Sequence, residues 1–259
     1  IRREAVSKEA TQMNDRHSWT NFYQELADKL FAYKNDRQTL ISMLNDAYSR
    51  IEMPLSKLEA DKLLDIDPFT VFGLFNKGIT DANRQKIIAG IAEVFGIGAD
   101  QPTDFKGIPV LNNLNATFYA FAGDERRGEH DIDNLWRVFE AELALAADDN
   151  EENRKAFVEV FDTTVTQFGL GWKLTMGLYW ARPYSFISLD SRNRWFMADV
   201  AKTGATIAGI RGVRARQQGE ESRREGGSRE GGGKFPWRRG GQDHALLDLL
   251  PGRRRREMG

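Results

Sequence analysis

The feature that most constrains this chain is a spacing. Trp19, Phe22, Tyr23, Leu26, Leu30 and Phe31 recur at i, i+3, i+4 and i+7 after Ser18, the period of one face of an α-helix with a serine N-cap. A stripe of that kind must be buried against another element, so a chain built from such stripes folds as packed helices. The pattern returns along the chain. Asp36 opens a segment with Leu40, Ile41, Leu44, Ala47, Tyr48 and Ile51 on one stripe. Asp67-Pro68 is a cap followed by proline at the first helical position; it starts FTVFGLFNKG, with Gly78 as its C-cap. Thr80 or Asp81 caps ANRQKIIAGIAEVFG, and Gly96 ends it. Residues 131–147 and 151–168 carry two more helical patterns, and WKLTMGLYWARP is helical to Ala181. Pro183 then stops the helix, YSFISL reads as a short extended run, and Asp190 or Ser191 caps a last helix. The expected fold is mainly α: a compact multi-helix domain with at most a few short strands, over residues 16–210.

Both ends depart from this pattern. Residues 1–15 are expected to be a disordered or upstream segment, since helical patterning starts only after Met13. Periodicity stops near Ile210. Residues 211–259 hold 12 Arg against 1 Lys, whereas the preceding 210 residues hold 13 against 11. Three readings account for that tail: a disordered Arg/Gly-rich segment, a nucleic-acid-binding tail, and a shifted reading frame in a GC-rich gene. The abrupt break and the jump in the Arg:Lys ratio favour the third. Charge divides at the same place. Residues 1–210 carry 24 Lys+Arg and 31 Asp+Glu, a net −7, and residues 211–259 carry 13 and 7, a net +6. An acidic body is a poor partner for broad phosphate binding.

Several chemistries are excluded early. There is no cysteine, hence no disulfide, no zinc-thiolate site and no thiol nucleophile, which fits a cytoplasmic protein. The three histidines, at 17, 130 and 244, are far apart. No run of 18 uncharged apolar residues predicts a membrane span, and no signal segment opens the chain. The nearest Walker A look-alike, SREGGGKF at 228–235, has Ser228 in place of the first Gly and Phe235 in place of Ser/Thr. The one acidic-x-Lys triplet, Asp104-Phe105-Lys106, lies in a Pro/Gly-rich loop rather than on a strand. Glu129, His130, Asp131 and Asp133 gather near one another, but a solvated loop entering a helix, with Asp131 as N-cap, explains them better than a metal does. No catalytic residue, metal ligand or nucleotide-binding motif is therefore expected in this chain.

A binding surface is the remaining expectation. A flipped or single-stranded base needs an aromatic face beside hydrogen-bonding groups. The stretch YWARPYSFISLDSRNRW (179–195) offers both. Arg182, Arg192 and Arg194 would meet phosphates or base edges, Asn193 would hydrogen-bond a base, and Trp180, Tyr184 or Trp195 would stack. Asn112 and Asn113, near Thr117 and Tyr119, form a second candidate group.

The blocks WTNFYQELADKLFAYK, IDPFTVFGLFNKGITDANR, GIPVLNN, DIDNLWRVFEA and LTMGLYWARPYSFISLDSRNRWF occur in this order. Together they resemble the N-terminal region of bacterial McrB-type, 5-methylcytosine-specific restriction proteins, over about residues 16–210. That resemblance implies a target-recognition region for DNA, modified or not. It implies as partners an AAA motor that binds GTP or ATP with magnesium, and a separate nuclease subunit. The motor would carry those cofactors; this chain would carry none. The alternative expectation is a protein-interaction or regulatory module for a motor ring or nuclease, without direct DNA contact. The resemblance assigns no pocket residue, so the contacts proposed above rest on residue chemistry.

Overall fold

A computed structural model describes residues 18–55, 63–113 and 116–202, with side chains to Met197. The expectations for residues 1–15 and 211–259, and the look-alike loop at 228–235, lie outside the described residues. The chain divides into two units between Asn193 and Arg194; each is described by itself.

Eight helices are present among the described residues: α1 (Trp19–Phe31), α2 (Arg37–Arg50), α3 (Pro68–Gly73), α4 (Asp81–Phe95), α5 (Asp131–Ala147), α6 (Glu151–Thr164), α7 (Lys173–Ala181) and α8 (Ser191–Lys202). No strand forms among these residues; an isolated parallel bridge joins Lys77 to Leu111. The helix starts follow local chemistry. Asp36, Asp67, Thr80 and Asn150 each accept an amide N–H of the first turn. Gly96 closes α4 at φ 61°, a left-handed C-cap that a side chain would strain.

The first unit packs as α5 on α6, α2 on α4, and α1 and α3 on α7. Short α3 is the hub, because all six of its residues are buried. Phe69 meets Phe118 and Phe139, each with ring centroids 5.6 Å away, and Tyr23 meets Phe72 and Phe75 at 5.6 and 5.4 Å. Several buried polar groups are tied in. Trp136 Nε1 donates to Ile66 O (2.9 Å), and the Tyr23 hydroxyl donates to Asn76 Oδ1 (2.7 Å). The buried Arg84 guanidinium donates to Phe75 O (2.8 Å) and Lys77 O (3.2 Å), so it satisfies carbonyls in the segment that follows α3.

Four local expectations change. Ser18 makes no capping bond; its hydroxyl is buried without a hydrogen-bond partner. Gly78 is not a C-cap, since α3 ends at Gly73 and the Gly78 N–H donates across the bridge to Leu111 O (3.1 Å). His130, not Asp131, holds the N-cap position of α5, and Asp131 instead accepts the Gly128 N–H at 2.8 Å. YSFISL does not pair as a strand. The Ser185 and Phe186 N–H groups both return to Arg182 O at 3.1 Å, and the Leu189 N–H donates to Thr175 Oγ1 at 2.9 Å. These local acceptors leave no ladder to form.

Candidate functional site

The stretch after α7 does not assemble the expected reading head. Trp180 is fully buried, packs edge-on to Phe118 with centroids 6.0 Å apart, and donates its indole N–H to Pro109 O (3.0 Å). It is a core residue that fixes the 107–113 loop against α7, and it has no face left for a base. Arg182, the C-cap of α7, donates to Asp28, to Gln24 O (3.3 Å) and to Ala181 O (2.9 Å). Its side chain is 13% exposed, so its donors serve the junction with α1 rather than a phosphate. Asn193 donates its side-chain amide to Ser188 O (2.6 Å), while Asp190 accepts the Arg192 and Asn193 backbone N–H groups, both at 2.9 Å. Asp190, Ser188 and Asn193 thus form a helix start. Arg192 is exposed, and Tyr184 is exposed with its hydroxyl 3.1 Å from Thr20 Oγ1. In the second unit, Arg194 is half-buried and Trp195 is exposed. Asn112 and Asn113 are exposed on the loop pinned by Trp180, and Asn113 donates to Gly78 O (2.9 Å). Of the expected residues in the first unit, Tyr184, Arg192, Asn112 and Asn113 remain at the surface.

A different surface joins aromatic and cationic groups. Two loops meet there, one before α5 and one between α6 and α7. The guanidinium of Arg126 lies 4.0 Å from the ring centroid of Phe168, and Arg127 lies 5.3 Å from that of Tyr119. Phe121 and Phe168 are 43% and 47% exposed, unusual for phenylalanine. Asp124 holds the edge of the Arg126 guanidinium, through Nε (2.8 Å) and Nη2 (2.5 Å). The Arg126 hydrogen bonds hold the Asp124 carboxyl well below the usual carboxylate range. The fork is therefore occupied, and what Arg126 offers a ligand is a flat cationic face on an aromatic ring. Gly123 (φ 86°) and Gly169 (φ 77°) turn the two loops in the left-handed region.

The first loop is anchored from below. Phe118 N–H donates to Thr70 Oγ1 (2.9 Å), Thr70 in turn donates to Asp67, and Lys173 Nζ donates to Thr117 O (2.7 Å) while lying 5.1 Å from the Phe118 ring. The Tyr119 hydroxyl donates to Asp65 O (3.1 Å). Burial pushes the Asp67 carboxyl up to about 6 against its hydrogen bonds from Thr70, and burial pushes the Lys173 ammonium down to about 8 against the attraction of Asp67. Both groups titrate in a mild pH range, but they are engaged with backbone and hydroxyl groups.

The sequence reading missed this surface. Arg126 and Arg127 sit among acids and read as a solvated loop, and Phe168 reads as the end of a helix. The available signal was glycine placement: Gly123 and Gly128 bracket the arginines, and Gly169 and Gly171 follow Phe168 directly. Turns so close to a large aromatic leave its ring with little to pack on.

Other clusters are structural. Arg37 bridges Asp65 (2.9 Å) and Asp133 (2.6 Å) across the open cleft beside Lys34, and Lys34 pairs with Glu140 at 2.5 Å. Among the described residues, no group of three or more His, Asp or Glu side chains could hold a metal ion, and no helix is long and apolar enough to cross a membrane.

No curated protein and no solved structure matches the chain. A family described as a domain of unknown function, DUF8425, matches residues 19–209, and the chain belongs to that family.

Proposed function

We propose that this domain is a target-recognition module that binds DNA, modified or not, as part of a restriction system with an AAA motor and a nuclease subunit. The observation that carries the reading is the Arg126–Phe168 stack beside exposed Phe121 and the Arg127–Tyr119 pair. Stacked guanidinium and aromatic faces suit an unpaired base, worth about 1–3 kcal/mol per base. Such contacts do not need a cationic stripe, so they are compatible with a body of net −7. GTP or ATP with magnesium would belong to the motor.

Fluorescence anisotropy of the full chain with methylated duplex, unmethylated duplex and single-stranded oligonucleotides tests this. Phe168→Ala and Arg126→Ala should each weaken binding about 5- to 150-fold, the range of one lost stack. Absence of binding to all three probes at low salt contradicts the reading.

A second reading is a docking module for a motor or nuclease subunit. It is favoured by the acidic charge and by exposed Tyr184 and Ile187 (58% and 45%) next to an arginine already paired internally. Co-purification with a neighbouring nuclease, with no affinity for any oligonucleotide, would select it.

A further inference from the structure

The two loops of the arginine–aromatic surface are also joined at a peptide group below the stack. The Thr117 carbonyl accepts a hydrogen bond from Lys173 Nζ (2.7 Å), and the Phe118 N–H, the other end of the same peptide, donates to Thr70 Oγ1 (2.9 Å). The Thr70 hydroxyl then donates to Asp67. A cation, an amide dipole, a hydroxyl and a carboxyl thus form one head-to-tail chain, in which each hydrogen bond polarises the next. Lys173 Nζ also lies 5.1 Å from the centroid of the Phe118 ring.

Lys173 is the first residue of α7, so it follows directly from the loop that carries Phe168. Its N–H donates to Leu170 O (2.9 Å), the Leu170 N–H to Gln167 O (3.2 Å) and the Gln167 N–H to Thr164 O (3.0 Å), so successive turns connect it to the neighbour of Phe168. The first loop is equally continuous. Phe118, Tyr119 and Ala120 are buried, the Asp124 N–H donates to Phe121 O (3.0 Å), and the Arg127 N–H donates to Asp124 O (2.9 Å). Both paths end at the stack, where the Arg126 guanidinium lies 4.0 Å from the Phe168 centroid. The contacts close a circuit, with Lys173 at one point and the stack at the other. Local chemistry does not account for a lysine here. A cation in the first turn of a helix opposes the helix dipole, and burial pushes this ammonium down to about 8 against the attraction of Asp67.

We propose that Lys173 is the positioning residue of the recognition surface: by holding the Thr117–Phe118 peptide it sets the register of the two loops at which the Arg126 guanidinium covers the Phe168 ring. Without that donor the Thr117 carbonyl turns to water, the first loop moves away from α7, and Arg126 shifts relative to Phe168. Thr70 still holds the Phe118 N–H, so the displacement stays in the loops and α3 remains packed. The stack follows the loops rather than setting them, because an exposed cation–π pair is a weak contact. The consequence for affinity rests on the reading of this surface as a nucleic-acid site; the consequence for loop geometry does not.

Nitrogen–proton NMR spectra of the full chain test this without a ligand. The ring of Phe168 should displace the Arg126 Nε–H resonance upfield, and Phe168→Leu gives its unstacked position. Lys173→Met removes the donor and keeps the stem. It should move the resonance to the unstacked position and weaken binding of a single-stranded DNA oligonucleotide at least about fivefold, the lower value of one base stack. Lys173→Arg keeps a cationic donor and should retain both signals. A lysine that only stabilises the fold would lower the thermal midpoint and leave the resonance of the folded protein in place. A resonance unmoved in folded Lys173→Met overturns the proposal; if affinity falls all the same, Lys173 meets the ligand itself and the nucleic-acid reading stands. A moved resonance in a protein whose wild type binds no oligonucleotide supports the positioning role and overturns that reading. A wild-type resonance identical to that of Phe168→Leu overturns the proposal. If Lys173→Met does not fold, Lys173→Gln takes its place: its shorter amide reaches Thr117 O only when the first loop moves, so the resonance should again shift. Failure of both variants to fold would make Lys173 a core residue and overturn the proposal.

Discussion

Asp67 meets several demands at once at the residue scale. It caps α3 by accepting the Thr70 N–H (3.0 Å), accepts the Thr70 hydroxyl, and through Thr70 holds the Phe118 amide. It does so fully buried, which lifts its pKa from 3.8 to about 6. A carboxyl with a raised folded-state pKa contributes stability at low pH that is lost as pH climbs through the folded value. Asp67→Asn retains an acceptor for the cap and removes the titration. Unfolding free energies from urea titrations at pH 4 and pH 7.5 should therefore differ less in the variant than in the wild type, by on the order of 3 kcal/mol at most; an unchanged difference would contradict this. Lys173 works in the opposite sense, because its depressed value of about 8 adds stability as pH rises above it. The partners of Arg182, Trp180 and Asn193 show why a polar cluster resisted reading from sequence. Asp28 is 154 residues from Arg182, and Pro109 is 71 residues from Trp180. A pattern of local spacing carries no trace of an acid or carbonyl supplied from that distance. Asp190 was legible because its donors, the Arg192 and Asn193 N–H groups, are two and three residues away.

Local determination explains what was legible among the elements. The helix caps at Asp36, Asp67, Thr80 and Gly96 rest on bonds within one turn, and the apolar stripes match the buried faces of α1 and α2 except at their last members, Phe31, which is exposed, and Ile51, which is half-buried. How the helices approach one another was not legible, and two glycines decide it. A Cβ on Gly90 of α4 would meet Ala47 O of α2 at 2.7 Å, and one on Gly177 of α7 would meet the buried Phe69 ring of α3 at 2.6 Å. Alanine gains about 1 kcal/mol of helix propensity over glycine at an exposed site, but overpacking a close contact costs about 1–3 kcal/mol. Gly90→Ala and Gly177→Ala should both lower the thermal midpoint by several degrees. A midpoint raised by either change would mean that the helices can separate without cost. Irregular segments were the least legible. The loop 116–121 takes its form from Thr70, Lys173 and Asp65, and YSFISL turns back on Arg182 instead of pairing.

Residues 1–210 combine a net charge of −7 with a surface patch where Arg126 and Arg127 lie on the rings of Phe168 and Tyr119. Contacts of that kind predict a shallow dependence of DNA affinity on salt, because few phosphates are neutralised; the logarithmic slope should be about −1 to −2 rather than the steep slope of a cationic groove. A titration of affinity against ionic strength reads this directly. The mainly helical architecture of the described residues followed from the period and the caps, whereas the patch depends on two loops separated by a pair of helices and turned by Gly123 and Gly169. Hydrogen-exchange mapping of the full chain with and without a saturating single-stranded oligonucleotide tests the central claim most directly. The account predicts protection concentrated in residues 117–127 and 165–173. Protection confined to residues 184–192, or none at any position, would contradict it.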